Sequence, residues 1–253
     1  MSDYDRGFPR AVPAGAADMA VDAGLRGFML GVYNKVALGL LLSAALAFLT
    51  ANYPPVRDLL YRVTADGHLA GFTLLGTLVR FAPLALILVS MFAMRNPNPR
   101  SAGMLYWAFV STMGAGLGVW ILAYTGAYVS MTFLITAIAF GGLSLIGYTT
   151  KRDMTGFGSF LIVGLFGIII AQVVNMFLHL PSIFFIVNVL GVLIFAGLIA
   201  YDTQRLKMTY YALGGDKAGM SVATNFGALS LYLDFINLFQ FLMMLFGGGG
   251  NRR

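Results

Sequence analysis

The chain has 253 residues, 59% of them hydrophobic and 10% charged, with a mean hydropathy of +0.82. A soluble domain carries about 25% charged residues, so a water-soluble fold is excluded and the chain reads as an integral membrane protein. The net charge of +6 is no nucleic-acid footprint, because the basic residues stand at the ends of apolar segments, where they set topology.

All ten acids are Asp, and there is no Cys, which excludes disulfides and thiolate metal sites. Residues 1–27 mix Asp3, Asp5, Asp18 and Asp22 with Arg6, Arg10 and Arg26. They hold no continuous apolar run, so they read as a flexible polar tail rather than a cleavable signal peptide. Span one runs from about Asn34 to Asn52 and stops before Pro54-Pro55. A polar loop follows, with Arg57, Asp58, Arg62, Asp66 and His68. Span two covers Leu78–Met94. Its Arg80 reads as snorkelling to the headgroups, with the lining of an outer vestibule as the other reading. Arg95 and the NPNPR run end it. Span three, Gly103–Tyr124, contains Gly114-x-x-x-Gly118, a spacing that permits close helix contact. Span four is Val129–Tyr148, closed by Lys151-Arg152-Asp153. Span five, Phe157–Leu178, carries Gln172 and Asn175. His179-Leu180-Pro181 turns into span six, Ile183–Asp202, which includes Asn188. Span seven is Asn225–Phe246. Each approaches the ~20 residues that a bilayer core requires, which gives a transmembrane domain over 28–247 and a short tail over 248–253.

Loops two, four and six hold Arg95, Arg100, Lys151, Arg152, Arg205, Lys207 and Lys217, while loops three and five hold no basic residue. Loop one holds Arg57 and Arg62; the positive-inside rule therefore predicts a cytoplasmic N-terminus and an outside C-terminus, against which Arg252 and Arg253 speak mildly. The short turns after spans three and five predict sequential antiparallel pairs, one with two, three with four and five with six, leaving a lone seventh.

Span seven carries the one acid near the middle of a span, Asp234. A charge at that depth costs roughly 2.5–3.5 kcal/mol on the mildest scale, so it faces protein or water rather than lipid. Gly227, Ser230, Asp234 and Asn237 fall on one helical stripe, continued by Phe241 and Met244. The seventh helix is therefore expected to be the most enclosed. Asp202 ends span six on the cytoplasmic side, and Asp234 lies roughly 15 Å deeper in from that side; tilt or a shift of the span limits would bring the two within reach. Arg95 ends span two on the same side. Two carboxylates in a low-dielectric site resist ionising together and titrate as a unit, and a guanidinium opposes that. Asn175, Asn188 and Gln172 read as interhelical glue, which with Ser230 and Asn237 makes a polar core. His68 and His179 fall in outer loops, away from the acids.

GYTTKRDMTGFGSFL (Gly147–Leu161), FAGLIAYDTQRLK (Phe195–Lys207) and GALSLYLDFINLF (Gly227–Phe239) closely resemble the bacterial branch of the Bax inhibitor-1 family, the transmembrane BAX inhibitor motif proteins. FLITAIAF (Phe133–Phe140) is similar to the family's fourth-helix pattern, and the likeness extends from about Val32 to Phe246. One departure is at the end of span three, where Val119-Trp120 stands in place of a Gly-Pro pair. The resemblance implies an all-α fold of six helices, in three antiparallel pairs, around a central seventh. It also implies a pH-sensitive calcium leak, with Asp202 and Asp234 as the hydrogen-bonded sensor and Arg95 as the latch. Calcium would be carried or bound at the two acids, since hard cations take oxygen ligands; no other cofactor is expected.

Two other functions are open. Some bacterial relatives modulate a membrane-anchored AAA protease, and a regulator that binds other membrane proteins is the alternative reading. Intramembrane aspartyl proteases also carry Tyr-Asp on a sixth helix and an Asp on a seventh. Their Gly-x-Gly-Asp motif is Leu231-Tyr232-Leu233-Asp234 here, with no Gly to open the helix, so the chain is not expected to be an enzyme.

Overall fold

Helix starts are written into the chain as prolines and caps. Pro54, Pro99 and Pro181 occupy first turns, where a missing N–H costs nothing. Thr73 accepts from the Gly76 amide, Asn98 forms a reciprocal capping box with Ser101, and Asp216 accepts from the amides of Ala218 and Gly219. At the start of the fifth long helix, the exposed Asp153 accepts from Thr155 N and Oγ1, which holds its carboxyl below the usual carboxylate range. That support is present at neutral pH and is lost as acid protonates the group.

The computed structural model describes residues 14–65, 69–94 and 96–247. Its elements are α1 (Ala14–Asn52), α2 (Pro54–Leu60), β1 (Tyr61–Val63), β2 (Leu69–Phe72), α3 (Leu74–Ala93), α4 (Pro99–Ala123), α5 (Gly126–Thr149), α6 (Thr155–Leu178), α7 (Pro181–Leu213) and α8 (Lys217–Phe246). All the helices except α2 are long and apolar enough to cross a membrane, which makes seven spans. The predicted all-α membrane class holds.

The last span is the hub. Of the α8 span, 61% is buried, against 44% in α4 and α7 and 11% in α3 and α6. It packs against α1, α4, α5 and α7, while α3 and α6 lie outside that ring. Tyr232 is fully buried at its centre. Ser43 of α1 donates its only hydroxyl hydrogen to the Val110 carbonyl of α4 at 3.1 Å, so the Tyr232 hydroxyl, 2.7 Å away, must donate to Ser43. One relay thus ties three helices together. Ser43→Ala leaves the Tyr232 hydroxyl buried without a partner and is expected to cost about 1–3 kcal/mol, whereas Tyr232→Phe orphans no donor and should cost less. Denaturation of the two variants in micelles checks the order; equal losses would exclude this relay.

The sequential pairing is only partly right. α6 and α7 do pack as a pair, but α1 lies chiefly against α4 and α5 against α7. Small residues decide this. A Cβ on Gly114 of α4 would come within 2.6 Å of Ser43 Cα, and one on Gly147 of α5 within 2.1 Å of the Ala200 carbonyl oxygen of α7. The short turn between α4 and α5 sets their order, not their contact.

Three extents also differ from the spans. α1 starts at Ala14, and Leu25, Phe28, Met29 and Val32 are buried, so the packed chain begins before residue 28 and the boundary of the 1–27 tail is too late. Residues 1–13 and the 248–253 tail lie outside the described residues. α7 continues past Asp202 to Leu213, and α8 begins at Lys217 rather than Asn225. The polar loop after α1 is folded: β1 and β2 form an antiparallel hairpin, Tyr61 opposite Phe72. The Tyr61 hydroxyl donates to the Ala115 and Gly116 carbonyls at 2.9 and 3.2 Å, which seals the hairpin onto α4.

Candidate functional site

α7 and α8 run antiparallel, joined by the Gly214–Asp216 turn with both glycines at positive φ. Their register sets Gly191 against Phe241, Asp202 against Ser230 and Leu206 against Gly227. Because both helices extend beyond their apolar spans, Asp202 is not a helix-end residue. It lies inside α7 at the depth of α8's acid, which removes the separation expected along the membrane normal.

Asp202 is 9% exposed and Asp234 5% exposed. Their carboxyl groups lie within hydrogen-bonding reach of each other. The Ser230 hydroxyl donates to Asp202 Oδ2, and Arg205, one turn along α7, acts on Asp202 electrostatically. Asp234 Oδ2 is buried with no hydrogen-bond partner. An ionised carboxylate in that position is costly as an isolated charge.

The backbone under Asp202 is fixed by its neighbours. Gln204 Nε2 donates to the Arg152 carbonyl at 2.7 Å and its Oε1 accepts from Met154 N at 2.8 Å. Lys207 Nζ donates to the Tyr148 carbonyl at 2.9 Å, and the Thr203 hydroxyl bonds that of Tyr33 at 3.3 Å. Tyr201 packs its ring on Gly158. Sequence reasoning missed these anchors, although all of them stand in the Phe195–Lys207 segment that carries the family resemblance.

Two openings flank the pair along α8. A cleft of about 340 Å³ is lined by Asp202, Arg205, Gly227 and Ser230. Toward the other end of the bundle, a cavity of about 660 Å³ is lined by Asn237, Gln240 and Met244 of α8, with Arg80, Pro83 and Trp120. Asp234 lies between Ser230 and Asn237 on the same side of α8, buried between the two spaces.

A family model described as "Inhibitor of apoptosis-promoting Bax1" matches residues 25–252. The chain belongs to the Bax inhibitor-1 family. A Caulobacter vibrioides protein is 64% identical, covering 98% of this chain and 99% of that protein. A Rickettsia prowazekii protein is 41% identical over 92% of each. Inner membrane protein YbhL of Escherichia coli is 39% identical over 91% of this chain and 94% of its own length.

Within this Bax inhibitor-1 chain, the other predicted site residues divide. Arg95 lies outside the described residues. The polar core is not a network. Asn237 Nδ2 donates to Leu233 of its own helix at 2.8 Å, and Asn175 Oδ1 accepts from Leu180 N at 2.9 Å in the adjoining turn. Asn188 is buried with Nδ2 unpaired. Asn175, Asn188 and Gln172, read as interhelical glue, make no hydrogen bond between transmembrane helices in the described structure. Asn237 and Asn175 bond nearby backbone, a local option always open to Asn. His179 is exposed at the end of α6, and His68 lies outside the described residues. Arg80 lines the larger cavity instead of only snorkelling outward. Among the described residues there is no group of three or more His, Cys or acidic side chains. Two carboxyls and a hydroxyl fall short of the six to eight oxygens of a resident calcium site, so any calcium there keeps much of its water.

Proposed function

We propose that the chain is a pH-gated leak for cations, calcium foremost, in the bacterial inner membrane, with the N-terminus in the cytoplasm and the C-terminus outside. The observation that carries this reading is the buried acid pair set between two openings on one side of the central helix. With a shared proton the pair is a closed polar contact between α7 and α8. A hydrated cation can be exchanged there only if the two carboxyls separate or change their protonation. Arg95, which follows α3 in the sequence, is proposed as the cation that holds Asp202 when it is ionised. Arg95 stays charged throughout, so acid cancels only the carboxylate's half of the bond, and acidification favours opening. α8 is unbroken through Asp234, which supports a role in gating over peptide hydrolysis. A regulatory role toward a membrane-anchored protease would use surfaces other than this pair.

The test is calcium efflux from proteoliposomes of the purified chain. Efflux above protein-free vesicles is expected, rising as the pH falls from about 8 to 6, a range in which a one-proton step changes occupancy by up to about tenfold per unit. Absence of efflux, or efflux indifferent to pH, would overturn the proposal.

A further inference from the structure

The larger of the two openings carries a basic side chain of its own. Arg80 lines it, and among the described residues its guanidinium pairs with no carboxylate; it lies over the Phe72 ring, 5.0 Å from the centroid. The Gln240 side chain, on the facing wall, makes no hydrogen bond in the described structure. Val79 and Pro83 of α3 line the same space. The site therefore offers a guanidinium and a side-chain amide, with Asn237 and Thr112 beside them, in a cavity of about 660 Å³.

The cavity also lies beside lipid. α3 packs on α4 but forms no packed interface with α8, so the gap between α3 and α8 is filled by the cavity. The outer face of α3, with Leu78, Phe81, Leu84 and Leu88, is exposed. Trp120 and Tyr124 stack in the cavity wall, aromatic rings of the kind that settle at headgroup depth.

We propose that this cavity binds the headgroup of an anionic phospholipid that enters between α3 and α8. The phosphodiester pairs with Arg80 through the planar donor fork that guanidinium presents to phosphate. Gln240 donates to a further headgroup oxygen. The acyl chains leave along the exposed face of α3. This site is separate from the acid pair and does not depend on any leak activity.

Intact-protein mass spectrometry of the full chain in detergent tests it, with phosphatidylglycerol, phosphatidylcholine and soluble glycerol phosphate as probes. One phosphatidylglycerol should be retained per chain at concentrations where phosphatidylcholine is not. Arg80→Gln should weaken retention about tenfold, the loss of one charge-assisted contact. Gly116→Leu is the second variant. A Cβ there meets nothing within 4 Å and Gly116 lines the cavity, so the larger side chain fills the space with no change of charge. It should abolish retention while the helical signal persists. Equal retention of both lipids, or wild-type retention by both variants, would reduce the bound lipid to annular contact and overturn the proposal. Displacement of the lipid by glycerol phosphate would also overturn it, by assigning the site to a free anion.

Discussion

Replacing either Asp202 or Asp234 by Asn is expected to flatten the pH response of the leak, and replacing both is expected to do no more. The two carboxyls lie within hydrogen-bonding reach. Two ionised groups about 4 Å apart repel by about 4 kcal/mol at an effective dielectric constant near 20. The proton step therefore belongs to the pair, and removing either member removes that step. Asp202→Asn should fix efflux near the wild-type acid level, because an amide never carries the charge that the latch holds. Each single variant should vary by less than about twofold between pH 8 and 6, and the double variant should match the singles, the non-additivity of one coupled unit. A single variant that keeps the wild-type profile, or a double variant with an additive effect, would show that the acids act separately.

Gly114→Leu is expected to destabilise the bundle by about 3 kcal/mol or more, combining overpacking at about 1–3 kcal/mol with loss of a buried hydrogen-bond relay. The new Cβ would stand 2.6 Å from Ser43 Cα and 3.1 Å from the Ser43 carbonyl oxygen, both backbone atoms that no rotamer change can move aside. α1 must then leave α4, and the Ser43 bonds to Val110 and Tyr232 break with it. Gly116→Leu, two residues along the same helix but pointing into open space, is the control and should keep wild-type stability. Thermal unfolding in detergent separates them; equal midpoints would contradict the close α1–α4 contact.

The seven spans were legible because lipid tolerates few charges, and Arg and Lys mark where each apolar run stops. The limits of α1, α7 and α8 were not, since hydropathy registers the bilayer and not the helix. Leu25, Phe28 and Met29 are buried among charged neighbours, and α7 runs on through Gln204 and Lys207 after its apolar stretch ends. Asp234 was found from its cost in mid-span alone. Its meeting with Asp202 needed those longer helices, which bring the two acids to one depth. Helix partners were legible only in part. Gly114-x-x-x-Gly118 announced a close contact, and geometry alone names α1 as the other side. Gln204 and Lys207 bond carbonyls of Arg152 and Tyr148, and no spacing in the sequence encodes that pairing.

The helix at the centre is the last of the seven to be synthesised. Ser43 and Tyr232, which join α1 to α8, stand 189 residues apart. Six helices thus enter the bilayer before the one they enclose exists. Until it arrives, Ser43 and Asp202 face an unfilled axis, and neither has the hydroxyl that satisfies it in the finished fold. Assembly cannot proceed by adding each hairpin to a completed predecessor. The early helices must stay loosely associated, and the decisive closure is a single late docking event in which the buried acids meet.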